Sequence, residues 1–163
     1  MSCDTEPTLS APSLDHYERL FEASPSATFV LQEDLGIVEF NPAAAKLANH
    51  STIAKLDTRP GELLRCIQTV NGVRCGASSQ CDKCDLRRVA HSALDSSAGD
   101  PCLHRMVLMR ADANHEVCFL VKAASLTVGA RVFAILCLEE MTEFLKARPV
   151  QSGTRLDGPI ALP

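Results

Sequence analysis

The stretch from Cys66 to Cys84, CIQTVNGVRCGASSQCDKC, constrains this chain more than any other, because it gathers four of the eight cysteines: Cys66, Cys75, Cys81 and Cys84. Asn71-Gly72, Gly76 and the serines bar a regular element over TVNGVRCGASSQ, so a loop carries these thiols. The helical run DLRRVAHSAL follows at once. Thiols crowded in this way serve as metal ligands or as a redox device. Thiolates are soft donors, and four of them make a tetrahedral site suited to Zn²⁺ or to an iron–sulfur centre. The pair Cys81-Asp82-Lys83-Cys84 lets both sulfurs turn toward one metal, and a helix start supplies unpaired N–H groups that favour thiolate. Gly76 frees backbone N–H groups beside Cys75, and Cys66 completes the set from the end of a short preceding helix.

The identity of the centre stays open between iron–sulfur, read first, and zinc, with a metal-free dithiol as the third reading. Against zinc stands the wide separation of Cys66 and Cys75, which gives no second C-x-x-C knuckle. The segment CGASSQCDKC is similar to the cluster loop of vertebrate-type and related bacterial [2Fe–2S] ferredoxins. Their fourth ligand lies far downstream, where this chain has Cys118, but VCFLV reads as a core strand and the rest of a ferredoxin is missing. Cys102, near His104, is another substitute for Cys66. A thiol–disulfide oxidoreductase would need a strand directly before Cys81, and none is read there. Cys137 in AILCL is read, like Cys118, as a small buried hydrophobe, and Cys3 as idle.

Other functions find little support. The net charge of −4, the absence of Trp and the single Tyr argue against nucleic-acid binding. No apolar run approaches the roughly 20 residues that span a bilayer. The opening MSCDTEPTLSAPS has neither a basic nor an apolar region of a signal peptide, so a cytoplasmic location is expected, where thiols stay reduced. No nucleophile elbow or phosphate-binding Gly-rich loop is present, and no enzyme activity is expected. Glu139-Glu140 reads as a strand end in solvent and Arg87-Arg88 as the exposed side of a helix.

Hydrophobic periodicity divides the chain into a disordered arm over 1–12, one domain over 13–145 and a disordered tail over 146–163. Ser13 is placed to cap a helix LDHYERLFEAS, with Leu14, Tyr17, Leu20 and Phe21 at helical spacing. ATFVLQ, the turn EDLG and IVEF read as a hairpin, after which Asn41 caps and Pro42 opens a short helix. Pro60 opens a second short helix, GELLRCIQ. A longer helix is expected from about Asp82 to Leu94, with Leu86, Val89, Ala90, Ala93 and Leu94 on its apolar face and Asp82 and Asp85 in its first turn. Three strands follow, CLHRMVLMR, EVCFLVKAASL and RVFAILCLEEM, with ADANH and TVGA as turns; the last two are the most apolar and should lie centrally.

This order resembles a PAS domain from about Leu14 to Phe144. The likeness rests on LFEASPSATFVLQEDLGIVEFNPAAAKL, on the Pro60-Gly61 pair, and on EVCFLVKAASL with RVFAILCLEEMTEF, where Glu140-Met141-Thr142-Glu143 stands for a family motif Asp-Ile-Thr-Glu. The resemblance implies an α+β fold, a five-stranded antiparallel sheet with helices on one face, and a sensory module with a cofactor beneath those helices. The cysteine loop 66–84 replaces the usual cofactor-facing region. Flavin is disfavoured, because Leu64-Arg65-Cys66-Ile67-Gln68 keeps little of the flavin-site motif beyond its cysteine. Haem is disfavoured, since His91 is a lone histidine on the long helix. The expectation is a cytoplasmic signal-sensing module with a metal centre on Cys66, Cys75, Cys81 and Cys84. It would act as a homodimer through Tyr17, Leu20 and Phe21, and relay to a separate histidine kinase or transcription regulator. The alternatives are an iron–sulfur electron carrier, or a small-molecule sensor with a structural zinc.

Overall fold

The computed structural model describes residues 13–48, 58–95, 99–110 and 113–147. The arm over 1–12 with Cys3, the tail beyond 147 and the first half of the ADANH turn lie outside them. Helix α1 (Leu14–Ala23) leads into the hairpin β1 (Ala27–Leu31) and β2 (Ile37–Phe40), then α2 (Pro42–Leu47). After α3 (Pro60–Leu63) come two 3₁₀ segments, Ile67–Gly72 and Ser79–Lys83, and then α4 (Asp85–Leu94). Strands β3 (Gly99–Arg110), β4 (Ala113–Val128) and β5 (Arg131–Glu140) precede a last helix, α5 (Thr142–Ala147).

The strands form one five-stranded sheet in the order β2-β1-β5-β4-β3, every pair antiparallel. The two most apolar strands, β4 and β5, are interior as expected. The core lies between the sheet and α4, where Leu86, Val89, Ala90 and Ala93 meet Phe29, Leu136, Phe119 and Val121. Strand alternation sends Val117, Phe119 and Val121 into this layer and Cys118 and Leu120 to the opposite face, where both are buried outside the main cluster.

Asn41 ties the first half together. It is fully buried; its Oδ1 accepts from Thr28 N and Ala44 N, both at 3.0 Å, and its Nδ2 donates to Ser26 O at 2.9 Å and Phe21 O at 3.3 Å. One side chain thus caps α2, holds the edge of β1 and anchors the end of α1.

Three boundaries differ from expectation. GELLRCIQ is not one helix: α3 stops at Leu63, Arg65 takes a left-handed φ of 59°, and Cys66 forms a bridge to Leu108 of β3. The long helix begins at Asp85 rather than Asp82, because Ser78 accepts from Gln80 N and turns Ser79–Lys83 into a separate 3₁₀ segment. Cys84 is therefore the N-cap, Cys81 lies one turn earlier, and Asp85 alone is acidic in the first turn of α4. Lys146 and Ala147, assigned to the tail, belong to α5, where Lys146 Nζ pairs with Glu143.

Candidate functional site

The connection between α3 and α4 folds over the end of β3 and encloses a cavity of about 290 Å³. Cys66, Cys75, Cys81 and Cys84 all line it, with His104 and Met106 from β3 and Leu86 and Arg87 from α4. The four thiols chosen from spacing alone therefore face one space. Larger surface depressions, one beside Gln32–Asp34 and one beside α2, contain no thiol.

Each cysteine is placed by its own local device. Cys66 follows the left-handed Arg65, and Met109 N donates to Arg65 O at 2.9 Å, which pins this corner to β3. Cys75 is clamped through its peptide groups: its N–H donates to Glu62 Oε1 at 2.9 Å, and its carbonyl accepts from Arg59 Nη1 at 2.7 Å. Glu62 Oε2 also accepts from Arg59 N, so the capping box of α3 doubles as the clamp on the loop. Gly61 makes room here, since a Cβ on it would come within 2.7 Å of Cys75 Sγ. Asn71 and Gly72, at φ of 66° and 80°, reverse the chain between Cys66 and Cys75.

Burial pushes the Cys66, Cys75 and Cys84 thiols above their ordinary range. Neighbouring thiols add to this, Cys75 and Cys81 acting on Cys66, and Cys75 and Cys66 on Cys84. Against it, N–H groups of Leu86 and Arg87 face Cys84 from the first turn of α4, although no cap hydrogen bond forms. Arg87 acts on Cys75 in the same sense, by its charge. Burial and neighbouring thiols thus make Cys66, Cys75 and Cys84 harder to ionise than a free cysteine.

His104, mentioned in the sequence only as a neighbour of Cys102, proves to be part of the wall. Its Nε2 lies 3.6 Å from Cys84 Sγ and its Nδ1 3.6 Å from Asp85 Oδ2. Burial holds its pKa below the ordinary value, with Asp85 opposing. The carboxylate favours the proton on Nδ1, leaving Nε2 to accept from the Cys84 thiol. Arg87, expected on an exposed face, lines the cavity instead, and its Nη1 is buried with no hydrogen-bond partner among the described residues. No local pattern marks either residue, because the loop that covers them is distant or irregular in sequence.

The proposed substitutes for Cys66 lie elsewhere. Cys118 points to the far face of the sheet, with its backbone N–H on Thr142 Oγ1. Cys102 is on the helix side but outside the cavity lining, close to Asp85 and Arg88. His91 is exposed on α4. As they stand, no three His, Cys, Asp or Glu side chains among the described residues are grouped closely enough to hold a single metal ion.

Comparisons with known proteins address the fold. A family model described as "PAS domain" matches residues 15–80. Among solved structures, the chain is similar to the PAS domain of a protein from Colwellia psychrerythraea, at 14% identity and a TM-score of 0.55, over 80% of this chain and 98% of that one. It is also similar to an RNA-binding Light-Oxygen-Voltage receptor, at 18% identity and a TM-score of 0.51, covering 89% of this chain and 38% of that one. No curated protein matches the sequence. No described helix is long and apolar enough to cross a membrane. A PAS family match over residues 15–80 and a five-stranded sheet arranged as in a solved PAS domain together show that this chain has a PAS fold.

Proposed function

We propose that this PAS domain is a cytoplasmic signal-sensing module whose cofactor is a metal centre bound by Cys66, Cys75, Cys81 and Cys84. One observation carries the reading: all four thiols line the same cavity, walled by the sheet and the long helix. Two features fit a charged guest there: the unpartnered Arg87 Nη1, and the room that Gly61 leaves around Cys75. An iron–sulfur cluster is favoured over zinc. A tetrahedral zinc with Zn–S bonds of about 2.3 Å would draw its sulfurs to roughly 3.8 Å from one another. The thiols instead stand around a cavity of about 290 Å³ and are not grouped for a single ion. Bound there, a cluster supplies redox or oxygen-reactive chemistry. The chain's own residues hold it, screen it from water and link it to β3 through Cys66 and Leu108.

The state of the site would be relayed to a separate histidine kinase or transcription regulator. Self-association uses α1, which has no buried residue and exposes Leu14, Tyr17 and Leu20, the last two at 57% and 58%. Phe21, the third expected contact, is half-buried. Replacing both Tyr17 and Leu20 by Glu is expected to turn a dimer into a monomer in sedimentation equilibrium; a wild-type monomer would remove the idea.

The decisive experiment is anaerobic purification followed by metal and acid-labile sulfide analysis and a visible spectrum. Brown protein with iron and sulfide supports the cluster. Colourless protein with one zinc supports a structural metal and moves sensing elsewhere. Protein with neither, and of full stability after replacement of each cysteine, removes the site.

A further inference from the structure

Arg87 is anomalous on chemical grounds. Its Nη1 is out of contact with water and donates to nothing among the described residues, although an unpaired buried donor is costly. The loop is shaped to admit it: Gly76 sits at a φ of 96°, and a Cβ there would lie 2.7 Å from Arg87 Cζ and 3.0 Å from Nη2. The other cations nearby are engaged or wet. Arg59 donates to Cys75 O and pairs with Asp34, and its own unpartnered Nε lies outside the cavity lining. Arg105 reaches the lining but is half exposed and paired with Glu116.

We propose that Arg87 is the buried counter-charge of the thiol cavity, its Nη1 donating to a metal–thiolate centre of net negative charge. The proposal rests on the reading of the four cysteines as ligands. Four thiolates bring four negative charges; Zn²⁺ or an oxidised iron–sulfur core of charge 2+ returns two, so either centre leaves a dianion. Among Leu86, Met106 and buried thiols such a charge needs a partner. Arg87 is fixed on α4 three residues beyond Cys84 and lines the cavity together with all four cysteines. Arg87 is thus a positioning residue, not a ligand.

Such a role has opposite consequences in the two states of the protein. With the centre bound, the guanidinium is paired and holds it; without it, the same group is an unsatisfied donor. The test uses the full chain, purified anaerobically, as wild type, Arg87→Gln, Arg87→Lys and, as a remote control losing the same charge, Lys122→Gln. Metal loss to excess EDTA is followed with time, and thermal unfolding is recorded before and after removal. Arg87→Gln is expected to lose metal about tenfold faster than wild type, the scale of an outer-sphere hydrogen-bond partner. Arg87→Lys should fall between the two, and Lys122→Gln should match wild type. After metal removal, the melting temperature of Arg87→Gln should equal or exceed that of wild type. If Arg87→Gln does not accumulate, Arg87→Met carries the same comparison. Metal loss at the wild-type rate, or a lowered melting temperature in both states, overturns the role of Arg87 while leaving the four ligands standing. A wild-type protein that holds no metal overturns both.

Discussion

At the scale of single residues, the cavity sets a pH dependence with two limbs. Cys66, Cys75 and Cys84 are pushed above their ordinary 9.0, chiefly by burial. The folded chain then keeps protons that the unfolded chain releases. Their contribution to stability is complete below pH 9.0 and is lost as pH rises through the folded values. His104 works in the opposite direction. Burial holds it below its ordinary 6.5, so its contribution is present above that pH and is lost as pH falls through the folded value. Urea unfolding of the metal-free protein between pH 5 and 10 should therefore show a plateau bounded by both losses, and His104→Gln should flatten the acid limb while leaving the alkaline one. An unchanged acid limb would mean that His104 is not held neutral. The thiols themselves were legible in the sequence because cysteine is chemically unmistakable and its clustering survives any fold. Arg87 and His104 were not: one sits beside an equivalent-looking Arg88, the other on a strand, and only the covering loop makes them interior.

At the scale of elements, Asn41 shows how one polar side chain stands in for packing. The hairpin and the α2 cap were readable because Asn41-Pro42 is a local start signal, with the cap bond to Ala44 N observed as expected. The reach of the same side chain back to Thr28, Ser26 and Phe21 was not readable, since it depends on β1 lying alongside. Asn41→Ala would remove the cap and strand Thr28 N in a dry environment. The expected loss is about 2–4 kcal/mol, combining the cap with a buried donor left unpaired. Denaturant unfolding should show a lower midpoint with an unchanged slope, because the surface exposed on unfolding hardly changes. The misplaced helix boundaries, the early end of α3 and the late start of α4, have a common physical origin. Left-handed Arg65 and the Ser78-capped 3₁₀ turn break helices without Gly or Pro, and 3.6-residue periodicity does not register a 3₁₀ segment. The difference matters for the site, since it moves Cys84 from inside the helix to its N-cap and Cys81 to a separate turn before it.

At the scale of the whole molecule, the cavity is joined to the sheet by short, stiff links. Cys66 bridges Leu108, Arg65 O accepts from Met109 N, and α4, capped by Cys84, packs against β3, β4 and β5. The Asn41 cluster shares no hydrogen bond with these links. A change at the thiols should therefore spread into β3 and the start of α4 and stop short of β1 and α2. This expectation separates a sensor from an electron carrier, because a carrier gains nothing from moving its scaffold. Amide exchange followed by mass spectrometry would measure it on anaerobically purified protein, first oxidised against reduced, then loaded against metal-free. Removal of metal should raise exchange by about tenfold or more across residues 60–84, where most backbone hydrogen bonds close short local turns rather than long ladders. A smaller rise should reach Leu108 and Met109 through the Cys66 bridge, with residues 27–47 unchanged. For a sensor, the oxidised and reduced proteins should differ over the same segments in the same order. Identical exchange in the two redox states, with exchange altered only by metal removal, would assign the centre to electron transfer or to structure and take signalling away from this cavity.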